Sequence, residues 1–157
     1  MKRFRRFPKL TIVCHHATHL IASAETGLGP SNDAPGFVPA VTQAAQYLPI
    51  ARLYGDGAYD AEEHHRLCRQ DLGIASTVIP VNPRGRQARR PRTRYRQQMY
   101  RQFPRRLYGR RWHAESTISQ HKRKLGSALR GRTPQARESE CLLRVITHNL
   151  MLLRRAG

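Results

Sequence analysis

Apolar and β-branched positions gather first in two short runs, Leu10 to Cys14 and Leu20 to Ala24, separated by His15-His16-Ala17-Thr18-His19. Short apolar runs bounded by polar turn residues read as strands, so the opening predicts two strands joined by a turn. Gly27-Leu28-Gly29-Pro30-Ser31-Asn32-Asp33 reads as a loop. From Phe37 to Tyr47 the apolar positions Phe37, Val38, Val41, Ala44 and Ala45, with Leu48 just beyond, recur at helical spacing. Ile50 to Tyr54 is a third strand candidate, ending in Gly55-Asp56-Gly57-Ala58-Tyr59-Asp60. Asp60 is placed to cap a helix reaching about Gln70, with Glu62 and Glu63 in the first turn and Gly73 as its stop. Ala75 to Val81 is the fourth strand candidate, Leu107 to about Leu125 a helix ending near Gly126, and Thr133-Pro134 the start of a last helix to about Leu153. Leu142, Leu143, Val145, Ile146 and Leu150 form that helix's apolar stripe and are expected to pack in the core. The order strand, strand, helix, strand, helix, strand, then more helix predicts an α/β layer fold.

Composition narrows this reading. The 157 residues amount to one domain, and 39% hydrophobic with 25% charged residues is a globular composition. A net charge of +19 calls for an anionic partner, and nucleic acid is the first candidate. A membrane surface is second, and no long apolar span supports it. The basic start mimics the first part of a signal peptide, but Leu10 to Cys14 is too short for its apolar core. Cys14, Cys68 and Cys141 are far apart and odd in number, which argues against a disulfide framework or zinc knuckle and for a reducing compartment.

From Leu72 to Ala114 there is no acid, while the same stretch holds twelve arginines. Ten of them lie between Asn82 and Arg106, among them Arg84, Arg86, Arg89 and Arg90. Pro83, Gly85 and Pro91 interrupt its early part, so about 82–106 reads as an exposed basic loop that DNA would order. Next to it stands the segment with chemical content. On one helix, Tyr108, Arg111 and Lys122 would lie at about +20°, −40° and −20° from Glu115. An acid with an aromatic and two cations on one stripe could bind a metal and grip phosphates, and a core-facing stripe would avoid such charges.

Those four residues carry a resemblance. Tyr108, Arg111, Glu115 and Lys122 match the Tyr-x2-Arg-x3-Glu-x6-Lys signature around the catalytic glutamate of a large group of bacterial insertion-sequence DDE transposases. Tyr54-Gly-Asp56-Gly-Ala-Tyr59-Asp60 resembles the strand end that bears the family's second catalytic aspartate, which puts Asp56 in that role. Ser31-Asn32-Asp33 is similar to a connecting loop of the family, and Asn149 after the last apolar stripe also fits. The likeness runs from Pro8 onward and implies an RNase H-like core, a DDE transposase/integrase fold.

The resemblance implies two-metal phosphoryl transfer at DNA, with two Mg²⁺ (or Mn²⁺) ions held by carboxylates. Asp56 and Glu115 would be metal ligands, Arg111 and Lys122 would hold phosphates, and Tyr108 would contact DNA or orient a neighbour. The arginines from Arg84 to Arg106 would track the backbone without reading sequence. The partners implied are transposon ends and target DNA, and the place is the DNA-associated cytoplasm of a bacterium or archaeon. The family's first aspartate should precede the segment at Pro8, where no acid stands. Glu25, the first acid, follows the strand pair. The expectation is therefore a partial catalytic domain, truncated at its first strand and inactive alone. Two carboxylates would hold Mg²⁺ weakly. The missing strand would expose a sheet edge, and a second copy or an upstream transposase fragment would complete the domain.

Plainer readings stand beside these. Asp56 between glycines could be a turn residue. Arg111 and Glu115, four apart, could be a surface ion pair. The arginine stretch could be a solvated tail, His15, His16 and His19 a turn rather than a metal site, and His64 and His65 exposed helix residues. Trp112 is expected to be partly buried, with His113 and His121 off the Glu115 face. The rival function is a non-catalytic, basic nucleic-acid-binding protein or transposase remnant.

Overall fold

The computed structural model describes residues 7–29, 34–83, 90–126 and 128–156. Its elements follow the expected order, and the chain divides into two compact units. The first comprises residues 1–32 and 112–157, the second residues 33–111.

In the first unit, β1 (Phe7–Cys14) pairs antiparallel with β2 (Ile21–Gly29), with a bulge between Val13 and Cys14. The turn is closed by His15 N–H to Leu20 O at 2.8 Å, with His19 at φ +60°. Two helices pack on this hairpin: α5 (Trp112–Leu125) and α6 (Pro134–Ala156). The Thr133 hydroxyl accepts the Ala136 amide at 3.1 Å, so the Thr-Pro start caps α6 as read. Asn149 clamps α6 to β2: its Oδ1 accepts the Ile21 amide and its Nδ2 donates to the Ile21 carbonyl, both at 2.8 Å.

The apolar stripe of α6 departs from expectation. Its buried positions are Cys141, Val145 and His148, whereas Leu143, Ile146, Leu150 and Leu153 are 55–62% exposed and Leu142 is 37% exposed. The hairpin sees only the narrow face that carries Asn149 and His148. Helical periodicity reveals that a stripe exists, not what covers it.

The second unit is a βαβ arrangement. β3 (Arg52–Tyr54) and β4 (Ser76–Val78) pair in parallel, Leu53 opposite Thr77. Between them run α2 (Glu62–Arg66) and a π-helical turn, Leu67–Asp71, closed by Leu72 N–H to Leu67 O at 2.9 Å. Gly73, at φ +66°, ends the helix as read. α1 (Phe37–Tyr47) buries Phe37, Ala40, Val41 and Ala44, and Leu53, Ile74, Val78 and Ile79 complete the apolar centre.

Three expectations fail in this unit. His64 and His65 are buried, not exposed: Phe37 stacks on His64 at 4.2 Å, and His65 Nδ1 meets the Thr77 hydroxyl at 2.6 Å. Asp60 does not cap α2, whose N-cap is Ala61. Its carboxylate is buried, accepting the Asn82 amide at 2.9 Å and a two-pronged contact from Arg96 at 2.8 and 2.7 Å. Nor is the arginine stretch a loop throughout: α3 (Arg94–Arg101) and α4 (Arg105–Tyr108) form within it. Tyr95 and Met99, four apart, are buried, and Glu62 accepts the Tyr95 and Arg96 amides at 3.0 and 3.1 Å. The acids that order this stretch come from the preceding helix segment, which is why a local charge count missed them.

Candidate functional site

Asp56 stands where β3 gives way to the chain's next turn. Gly55 still belongs to the sheet, its amide donating to Val78 O at 3.0 Å. A Cβ at Gly55 would lie 3.1 Å from Ile79 Cγ1, so a bare backbone suits the approach of this strand end to the core. Asp56 then adopts extended backbone, φ −73° and ψ 156°, and its carbonyl accepts the Tyr59 amide at 2.9 Å. The carbonyl is thus a turn acceptor, while the side chain is 57% exposed.

The carboxylate meets Arg111, whose Nη1 lies 3.3 Å from Asp56 Oδ2. The Arg111 guanidinium sits 5.6 Å from the centre of the Tyr108 ring, which packs edge-on against Phe103 at 5.0 Å. Tyr108, Arg111 and Asp56 therefore form one chain of contacts within one unit. The pair is exposed and single-pronged, so it contributes at most about 1 kcal/mol. A cation or a phosphate could displace either partner at little cost.

The four signature residues are divided among three helical elements rather than one α-helix. Tyr108 closes α4, Gly109–Arg111 is a 3-10 turn, and α5 begins only at Trp112. Gly109 is a weak helix former, and a 3-10 turn winds more tightly than the 100° per residue of an α-helix. Glu115 and Lys122, seven apart, remain together on α5. Glu115 is exposed in the first turn of that helix, where the dipole favours an acid. The boundary between the units falls between Arg111 and Trp112, inside the signature.

On α5 the inward face belongs to His113, Thr117 and His121, off the Glu115 face as expected. Thr117 is buried and hydrogen-bonds His19 Nδ1 at 3.0 Å, His113 packs against the rings of His16 and His19, and His121 lies 5.9 Å from His148. Burial, then the charges of His148, Arg144 and Lys122, lowers the His121 pKa. Burial also lowers that of His148, against the opposing pull of its hydrogen bond to His19 O. Trp112, expected to be partly buried, is 57% exposed.

Arg84, Arg86 and Arg89, like Ser31-Asn32-Asp33, lie outside the described residues, and Arg90 is exposed. Among the described residues no three His, Cys, Asp or Glu side chains gather closely enough to hold an ion. The three cysteines are free. No helix among the described residues is long and apolar enough to cross a membrane. The donor type of Asp56 and Glu115, exposed carboxylate oxygen, fits a hard divalent cation such as Mg²⁺ or Mn²⁺.

The unit that carries Asp56 thus joins an acid at a strand end to an arginine and a tyrosine, and the other unit carries Glu115 in the first turn of α5. Residues 2–150 match the family described as Transposase DDE domain, and the chain belongs to that family. This ties it to transposition, with an RNase H-like α/β fold and DNA as the family's partner. No curated protein and no solved structure matches the chain.

Sequence reasoning missed the Asp60–Arg96 and Glu62–α3 contacts that stiffen the ground behind Asp56. The available signal was the pairing of isolated acids at 60 and 62 with an acid-free arginine run beyond.

Proposed function

We propose that the chain acts in transposition as the part of an insertion-sequence DDE transposase that bears the second and third catalytic carboxylates, Asp56 and Glu115. It belongs, on this reading, to the group with the Tyr-x2-Arg-x3-Glu-x6-Lys signature. The observation that carries the reading is the contact chain Asp56–Arg111–Tyr108, which joins the strand-end motif to the first half of the signature.

Asp56 and Glu115 are the residues that would hold Mg²⁺ or Mn²⁺. When bound, a pair of such ions neutralises charge at the phosphate and lowers the pKa of the attacking hydroxyl. Arg111 is a planar fork suited to a phosphate, and Lys122 a point charge. Freed from Asp56, Arg111 stands within reach of a phosphate brought to that carboxylate. Tyr108 holds the guanidinium over its ring face, limiting where the fork can swing. Arg84, Arg86, Arg89 and Arg90 would add sequence-neutral backbone contacts, in keeping with the +19 net charge.

On this reading the remaining carboxylate of a three-acid site comes from sequence other than these 157 residues. A preceding segment or a partner fragment would supply it. The test is divalent-metal-dependent nicking of supercoiled DNA by the chain with and without its preceding coding sequence. Nicking that needs the metal and disappears in Asp56→Asn and Glu115→Gln supports the assignment. DNA binding without nicking in every mixture would instead favour a non-catalytic binding protein.

A further inference from the structure

The groove beside α3 is lined by Arg90, Pro91, Arg92, Gln97, Tyr100 and Arg101, and encloses about 590 Å³. It is distinct from the Asp56 contacts, and its chemistry is uneven in an informative way. One side of α3 is held by polar contacts. Arg96 is held by Asp60, Glu62 caps the helix, Arg69 donates to Gln98 at 2.8 Å, and Gln70 donates to the Tyr95 hydroxyl at 3.1 Å. On the groove side, among the described residues, no carboxylate pairs with Arg90, Arg92 or Arg101. Three guanidinium groups line one concavity, and an anion entering it would neutralise their charge.

We propose that this groove binds single-stranded DNA. Three guanidinium forks match phosphate oxygens, whose fixed geometry they can meet two at a time. The Tyr100 ring is 52% exposed inside the same groove, beside the buried Pro91. A duplex presents a ridge of phosphates and hides its base faces, so an aromatic surface is of little use to it. An unpaired strand presents both phosphates and base faces, and stacking on an aromatic ring is how sequence-tolerant strand binding gains affinity. Gln97, which lines the same groove, has both donor and acceptor atoms to offer a base edge. The other side of α3 is fastened by Asp60 and Glu62.

The inference rests on reading the chain as a DNA-acting protein, but not on its catalytic site. The test is fluorescence anisotropy with a labelled oligothymidine and a labelled hairpin duplex of equal length, at several salt concentrations. Tyr100→Leu is expected to weaken single-strand binding about tenfold and leave the duplex within about twofold, with Tyr100→Phe retaining most affinity. Arg101→Gln should weaken single-strand binding and reduce its salt slope, more than Arg52→Gln, a charge-loss control on β3 away from the groove. Equal losses on both DNAs for Tyr100→Leu, or none on either, would overturn the proposal. Circular dichroism checks that each variant is folded; should Tyr100→Leu unfold, Arg101→Gln against Arg52→Gln decides. Nicking by the parent chain tests the proposed function and strand binding by Tyr100→Leu and Arg101→Gln tests the groove, so failure of one reading is distinguishable from failure of the other.

Discussion

The unit that carries Asp56 and the unit that carries Glu115 are built to different standards. The first closes on itself. Phe37, Val41, Leu53, Val78 and Ile79 form its centre, His65 Nδ1 bonds the Thr77 hydroxyl inside, and buried Asp60 ties the far helix α3 back to the sheet end. The second rests on one two-stranded hairpin. Its longest helix is fastened by Asn149 and a narrow buried row, while Leu143, Ile146, Leu150 and Leu153 face outward. Among the described residues, buried polar atoms without a partner are also more frequent there, at His113 Nδ1, His121 Nε2, Lys124 Nζ and His148 Nδ1, against His65 Nε2 in the other unit. One acid of the proposed site thus sits on a self-sufficient frame, and the other on a helix whose own packing is thin.

The comparison can be broken hardest at Asp60. Asp60→Ala strands Arg96 and the Asn82 amide, and should cost about 3 kcal/mol in urea unfolding, read by α3 signals such as Tyr95 fluorescence. A change under 1 kcal/mol would mean the clamp does not hold α3. Acid acts next. Burial, reinforced by Arg69, lowers the His65 pKa from 6.5 to about 4, so the folded form resists protonation there. Stability from this group is therefore complete above pH 6.5 and declines as pH falls towards 4, by about 2 kcal/mol at pH 5. His65→Gln should flatten that slope. His121 and His148, also shifted downward, should give the other unit the same direction of pH dependence.

Smaller effects sharpen the contrast. Asn149→Ala removes both bonds to the Ile21 backbone and should cost about 1–2 kcal/mol, seen as faster amide exchange at Ile21. On α6, Val145→Ala should cost about 2 kcal/mol and Leu150→Gln less than about 0.5 kcal/mol. Were Leu150→Gln the more damaging, the outward stripe would be packed in solution.

Local chemistry in the sequence predicts most element positions. Glycine at 73, the Thr133-Pro134 cap and the Phe37–Tyr47 periodicity act through neighbours a few residues away, and all three emerge as read. What failed depends on distant partners. Burial of His64 and His65 requires Phe37 and Thr77, the ordering of α3 requires Asp60 and Glu62, and exposure of Leu150 follows from how little the hairpin covers. For the site, the motif spacings pointed to Asp56, Tyr108 and Arg111, and these three do meet. The single α-helix read from Leu107 to Leu125 is instead α4, a 3-10 turn at Gly109–Arg111 and α5, an interruption that a count at 100° per residue does not anticipate.

The central claim is that Asp56 and Glu115 serve metal-dependent DNA strand cleavage. Its most direct measurement is nicking of supercoiled DNA with and without Mn²⁺, by the chain supplemented with its preceding coding sequence, alongside Asp56→Asn and Glu115→Gln. The account predicts nicking only with the metal and at least about a hundredfold loss in each variant, the scale on which removal of a group stabilising the transition state is felt. Nicking that survives in both variants, or that proceeds equally without the metal, would contradict it.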